Sequence, residues 1–184
     1  MERLILASAS PRRRELLANA GFSFTVMSAD TDETIPEGTS PEEAVKLLAK
    51  RKADTVKERC PGSVIVAADT IVYCAGEILG KPHDQDDAFR MLSLLSGNTH
   101  QVYTGVCILR PDMPDTVFAE CSDVTFYPLS KEEILQYIST GEPMDKAGAY
   151  GIQGKGCILV RSIRGDYFNI VGLPVARVAR ELQK

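Results

Sequence analysis

One stretch narrows the choice of fold more than any other: Val64-Ile65-Val66-Ala67-Ala68-Asp69-Thr70-Ile71-Val72 is apolar at all but two positions. The run is strand-sized, and a strand apolar on both faces belongs inside a sheet that other elements cover. Gly62 and Gly76 bound it, which predicts a strand over Val64–Tyr73 that turns back through Glu77 to Leu79.

Around that strand, helical and extended patterns alternate. Leu4–Ala7 reads as a short buried strand, and Ser10-Pro11 supplies the cap and first position of a helix through Ala20. Phe22–Met27 alternates as a second strand, and Ser28–Thr39 is an acidic loop with Asp30, Asp32, Glu33 and Pro36. Ser40-Pro41-Glu42-Glu43 reads as a capping box for a long helix, stopped near Arg59 by Pro61-Gly62. Beyond the connector Gly80–Asp84 come a helix over Asp86–Leu95 and strands over Gln101–Arg110 and Thr116–Phe126. A second box, Ser130 with Glu133, opens a helix to about Thr140; Gly141–Gly156 is loop-rich, Cys157–Arg164 a strand and Pro174–Leu182 a helix. This order predicts an α/β or α+β chain built on a mixed central β-sheet flanked by helices. Its 184 residues fit a single domain over 1–184, or two closely packed lobes.

Charge and cysteine content exclude several functions. Lys plus Arg number 21 against 25 for Asp plus Glu, so the net charge of −4 repels nucleic acid and anionic membrane surfaces. No apolar run approaches the ~20 residues of a membrane span. Nothing after Met1, Glu2 and Arg3 resembles the core of an export signal, and the expected compartment is the cytoplasm. Five cysteines without C-x-x-C spacing, four of them in apolar strand-like runs, read as reduced core residues rather than a disulfide or zinc framework.

Some residues are not explained by folding alone. Arg12, Arg13 and Arg14 occupy the first turn of a helix, where the backbone dipole is already positive. Arg12 and Arg13 share the side of Leu16, Leu17 and Ala20, and free N–H groups beside two arginines suit a phosphate; the alternative is a solvated turn balanced by Glu15. Lys52 lies mid-stripe on the long helix, among Val45, Leu48, Ala49 and Val56, and must either snorkel or meet an anion; Lys50 and Arg51 read as solvated. Asp69 and Thr70 interrupt the apolar strand, and a carboxylate so placed is paired, metal-bound, catalytic or held by backbone donors.

Gly76–Pro82 is not a Walker loop, since its glycines are too close and Pro82 replaces the metal-binding hydroxyl, yet Lys81 can still reach a phosphate. The glycines of Asp145–Gly154 allow backbone and Gln153 to approach a flat ligand, or simply make a flexible loop. With two histidines and no serine-hydrolase or zinc signature, the candidate metal ligands are oxygens: Asp69 with the acidic loop at Asp32 and Glu33, suited to Mg²⁺ or Mn²⁺.

Leu6-Ala7-Ser8-Ala9-Ser10-Pro11-Arg12-Arg13, Ala67-Ala68-Asp69-Thr70, Gly80-Lys81-Pro82 and Asp145–Gly154 together resemble the Maf family of nucleoside triphosphate pyrophosphatases, in the same order along nearly the whole chain. The resemblance implies an ITPase-like α/β fold with a cleft between two lobes, hydrolysis of dTTP and UTP to monophosphate and pyrophosphate, a divalent cation, a cytoplasmic homodimer and a link to septum formation. It also implies that Asp69 is the proton acceptor, that Arg12, Thr70 and Gln153 bear on base choice, and that Arg13, Glu33, Lys52 and Lys81 line the substrate site. Glu33 with Asp69 is the implied metal pair, with Asp32 of the same loop as the alternative metal-facing carboxylate. An ordinary aspartate is a weak base toward free water, so Asp69 works with a metal-acidified water or is itself a ligand. Rival readings are a non-catalytic nucleotide-binding regulator of division and a purine-directed house-cleaning pyrophosphatase.

Overall fold

The computed structural model describes residues 3–28 and 30–184; Met1, Glu2 and Ala29 of the acidic loop lie outside them. The elements are β1 (Leu4–Leu6), α1 (Pro11–Asn19), β2 (Thr25–Val26), α2 (Pro41–Arg59), β3 (Val64–Cys74), β4 (Glu77–Leu79), α3 (Gln85–Leu95), β5 (Thr99–Leu109) and β6 (Thr116–Phe126), followed by α4 (Lys131–Ile138), β7 (Val160–Arg164), α5 (Tyr167–Val171) and α6 (Val175–Leu182). Among the described residues the strands form one seven-stranded sheet in the order β2-β1-β3-β5-β6-β7, with β4 hydrogen-bonded to β3 off that path. Pairing is parallel for β1 with β2 and β3, and antiparallel for β3–β4 and β6–β7, so the sheet is mixed as expected. No helix of the described residues is long and apolar enough to cross a membrane.

By its contacts the chain divides into two compact units, Met1–Thr70 with Thr104–Glu120 and Gly172–Lys184, and Ile71–Tyr103 with Cys121–Val171. In the first, Ile5 stands opposite Thr25 and Ile65, and Ile5, Ala7, Ile65, Ala67, Cys107 and Leu109 meet the small stripe Ala49, Ala53 and Val56 of α2. Small residues let helix and strand backbones come close, most of all at Gly105, where an added Cβ would lie 2.2 Å from the Val45 carbonyl oxygen. The second unit is cored by Leu92 and Leu95 of α3, Ile138 of α4, and Phe126 with Tyr150. His100 is buried there at 1% exposure, with Nε2 2.7 Å from the Tyr150 hydroxyl and its ring edge-on to Phe126.

Capping follows the sequence, with one exception. The Ser10, Ser40 and Ser130 hydroxyls accept from the N–H groups of Arg13, Glu43 and Glu133, and α4 has the complete box, with Glu133 returning to the Ser130 N–H. At α2 the box is half made: the Glu43 carboxylate takes the Ser40 hydroxyl instead of its N–H. Other expectations need correction. Of the predicted Phe22–Met27 strand only Thr25–Val26 is strand, with the Met27 N–H adding one bond to the Leu6 carbonyl, while the Phe22 N–H is spent on Leu17 at the end of α1. Residues 154–159 form 3-10 turns, so β7 starts at Val160 and not at Cys157. Helix α5 was not expected; Asp166 caps it through the Phe168 N–H. All five cysteines are free thiols, but only Cys74 and Cys107 are buried, Cys60 being half-buried and Cys121 and Cys157 exposed. Ala20, assigned to the inward side of α1, is exposed.

Candidate active site

Asp69 is the last residue but one that β3 contributes to the first unit, and its side chain is 12% exposed. Burying a lone carboxylate is costly, and the offset comes from Lys52 of α2, whose ammonium contacts Asp69 Oδ1. The same ammonium lies 2.8 Å from Glu33 Oε1, on a side chain 65% exposed. Lys52 therefore meets anions rather than snorkelling, and the two carboxylates converge on one cation. Asp32 is engaged elsewhere, since its Oδ1 accepts the Thr34 N–H at 2.9 Å, and hydrogen bonding by Thr34 holds its carboxyl below the usual range. Arg51, expected to be merely solvated, donates to the Asp32 and Thr34 carbonyls at 3.1 and 2.7 Å and so ties the acidic loop to α2. Lys50 is likewise engaged, with Asp54 and Asp115.

Thr70, next along β3, faces the other way and carries a second network. Arg13 donates from Nε to the Gly172 carbonyl at 2.7 Å, from Nη1 to Ser8 Oγ at 3.2 Å and from Nη2 to Thr70 Oγ1 at 2.9 Å. Thr70 Oγ1 is 2.8 Å from Thr104 Oγ1. Arg13 is thus held by neutral oxygens. Burial pushes its guanidinium below the ordinary value, Asp69 opposes that shift and Arg12 adds to it. Arg12 is half-buried beside it and Arg14 exposed, as the helical wheel predicts.

Lys81 and Gln153 belong to the second unit and both are exposed. Their segments are stitched together where the Gly148 N–H donates to the Gly80 carbonyl at 2.9 Å. Folding therefore gathers Arg12, Arg13, Glu33, Lys52, Asp69 and Thr70 within the first unit, and Lys81 with Gln153 in the second. Sequence reasoning passed over Ser8, Thr104, Gly172 and Arg51 as functional groups. Thr104 could have been found, since it interrupts an apolar strand as Asp69 does; Gly172 acts through a carbonyl, which no residue type reveals.

As a metal site the donors are hard oxygens. Among the described residues no group of three or more His, Cys, Asp or Glu side chains could hold an ion. Glu33 and Asp69 fit a Mg²⁺-like ion that takes one or two carboxylates and fills its other positions with water and substrate phosphate. In this structure both carboxylates meet the Lys52 ammonium.

A family model described as Maf-like protein matches residues 3–184. The chain belongs to that family. This Maf-like chain is similar to a protein named dTTP/UTP pyrophosphatase from a Geobacillus species, 52% identical over 184 residues that cover 100% of this chain and 98% of the relative. A protein of the same name from Bacillus velezensis is 50% identical over 183 residues, covering 100% and 96%. Among solved structures, the Maf-like chain is similar to the Ham1 protein of Staphylococcus aureus, with a TM-score of 0.50, 15% identity, and 86% and 80% of the two chains covered. A HAM1 protein from Coxiella burnetii gives 0.50, 16%, 100% and 99%. At such identities these structures bear on the fold alone, and they agree with the ITPase-like α/β architecture.

Proposed function

We propose that this Maf-like chain hydrolyses dTTP and UTP to the nucleoside monophosphate and pyrophosphate. The observation that carries the reading is the buried Asp69 carboxylate, engaged through one oxygen by Lys52 and sharing that lysine with Glu33. The names borne by relatives about half identical over their full length support it. Water attacks the α-phosphorus and pyrophosphate leaves, so negative charge builds on phosphate oxygens. Asp69 accepts the proton of that water at Oδ2 while Lys52 holds Oδ1. The ammonium of Lys52 moves from Glu33 to the phosphates, and Arg12 and Lys81 add positive charge. Glu33 and Asp69 would hold a divalent cation, Mg²⁺ or Mn²⁺, which when bound supplies charge neutralisation and a more acidic water.

Base choice falls to Arg12, Thr70 and Gln153. The Gln153 amide accepts the N3–H of uracil or thymine and donates to O4; cytosine reverses both polarities. Arg13, committed to Gly172, Ser8 and Thr70, fixes the Thr70 hydroxyl. The partners in this reading are free nucleotides and not nucleic acid, in keeping with the net charge of −4, and the active form is the cytoplasmic homodimer that the resemblance implies. Pyrophosphate release from a panel of canonical triphosphates, with Mg²⁺ or Mn²⁺, tests it. Fastest turnover of dTTP and UTP is expected. Preference for purines would overturn the substrate assignment, and nucleotide binding without release would favour the regulator.

A further inference from the structure

Gln153 lies on an arch whose two feet are fixed by a pair of side chains that the proposed chemistry does not use. On one side the Gly151 N–H donates to the Tyr137 hydroxyl at 3.1 Å. On the other, the Lys155 N–H donates to Glu142 Oε2 at 2.9 Å and the Gly156 N–H to Glu142 Oε1 at 3.0 Å. The feet are themselves joined, because the Tyr137 hydroxyl donates to Glu142 Oε1 at 2.9 Å. Tyr137 is buried on α4, and the Glu142 backbone carbonyl is held by Lys146 Nζ at 2.9 Å, so neither anchor floats.

Sterics agree with the hydrogen bonds. A Cβ at Gly154, whose φ is +72°, would stand 2.8 Å from Glu142 Oε2, and one at Gly156 would stand 2.7 Å from the Tyr137 hydroxyl. The loop is drawn down onto the pair as closely as glycine permits. Only Ile152, Gln153 and Gly154 span the gap between the pinned amides. A carboxylate accepting two backbone N–H groups and a phenol forms charge-assisted bonds, stronger than neutral loop contacts. Exposed loops are ordinarily mobile, yet a side-chain amide that tells uracil from cytosine must keep one orientation.

We propose that Glu142, with Tyr137, is a positioning residue for base discrimination: it fixes the 151–156 arch and thereby the Gln153 amide, without touching the nucleotide. The inference rests on the base-reading role given to Gln153 above.

The test combines amide hydrogen exchange with selectivity, in Glu142→Gln, Glu142→Ala, Tyr137→Phe, Gln153→Ala and the Glu142→Ala/Gln153→Ala double variant. In Glu142→Gln the side chain keeps one acceptor oxygen, and the milder change guards against a misfolded alanine variant. Expected are faster exchange at Lys155 and Gly156, a KM for dTTP that rises more than kcat falls, and a ratio of kcat/KM for dTTP over CTP reduced about tenfold. The double variant should show no further loss of that ratio than Gln153→Ala alone. An unchanged ratio in the Glu142 variants, with the ratio lost in Gln153→Ala, overturns the positioning role and leaves the base-reading role standing. Should Gln153→Ala itself keep the ratio, the base-reading role fails and the proposal with it.

Discussion

Asp69 and Lys52 are not equally dependent on each other: the buried carboxylate relies on the Lys52 ammonium, whereas Lys52 has Glu33 as a second partner. Asp69→Asn keeps the shape and leaves Lys52 its partner Glu33, so the chain should stay folded while pyrophosphate release falls by about 10³, within the range for loss of a general base. Near-normal turnover would remove Asp69 from the mechanism. Lys52→Met strands the carboxylate instead: urea unfolding should show a loss of about 3 kcal/mol, and adding Asp69→Asn should restore part of it. Both residues were legible in the sequence because each breaks an apolar period. Ser8 and Glu142 were not: a small hydroxyl fits any environment, and the Glu142 carboxylate is partnered by backbone amides, whose positions exist only once the loop is folded.

Helix α2 and strand β5 meet backbone to backbone at Gly105. Gly105→Ala puts a methyl group into the Val45 carbonyl, where neither main chain can yield cheaply; a loss of roughly 3 kcal/mol, read from denaturant unfolding, is expected. A loss below about 1 kcal/mol, the lower end for overpacking, would mean that α2 slides away freely. Elements delimited by their own chemistry, such as α2 between Ser40 and Pro61-Gly62, were readable nearly to the residue. Those delimited by distant partners were not. Strand β2 is only as long as its pairing with β1, and the start of β7 is set by a turn held at Glu142.

For the molecule as a whole, His100 links stability to acidity. Burial lowers its pKa from 6.5 to about 4, so the folded protein holds it neutral while the unfolded chain protonates it near 6.5. The stabilisation is complete above pH 6.5 and is lost as the pH falls toward 4, amounting to about 3 kcal/mol over that window. Asp87 and, against the pull of burial, Glu142 have carboxyls held below their usual values by backbone hydrogen bonds, and they act in the same direction at lower pH. Urea midpoints measured between about pH 4 and 7 should fall with acidity, and His100→Gln should flatten the upper part of that slope. A variant with an unaltered slope would assign the effect elsewhere. The fold class was legible from the alternation of apolar runs and capped helices. Two closely packed lobes were among the expectations from length and resemblance, but where the two units divide was not legible, since no linker or shift in composition marks the boundary.

Asp69 and Thr70 are consecutive residues of a pleated strand whose register is fixed by Leu6 opposite Val66. Inserting or deleting one residue between Val66 and Asp69 would turn the carboxylate toward Arg13 and the hydroxyl toward Lys52, exchanging two chemistries at a stroke. The length of this segment is thus as constrained as its chemistry, and gaps among functional descendants should fall anywhere else first.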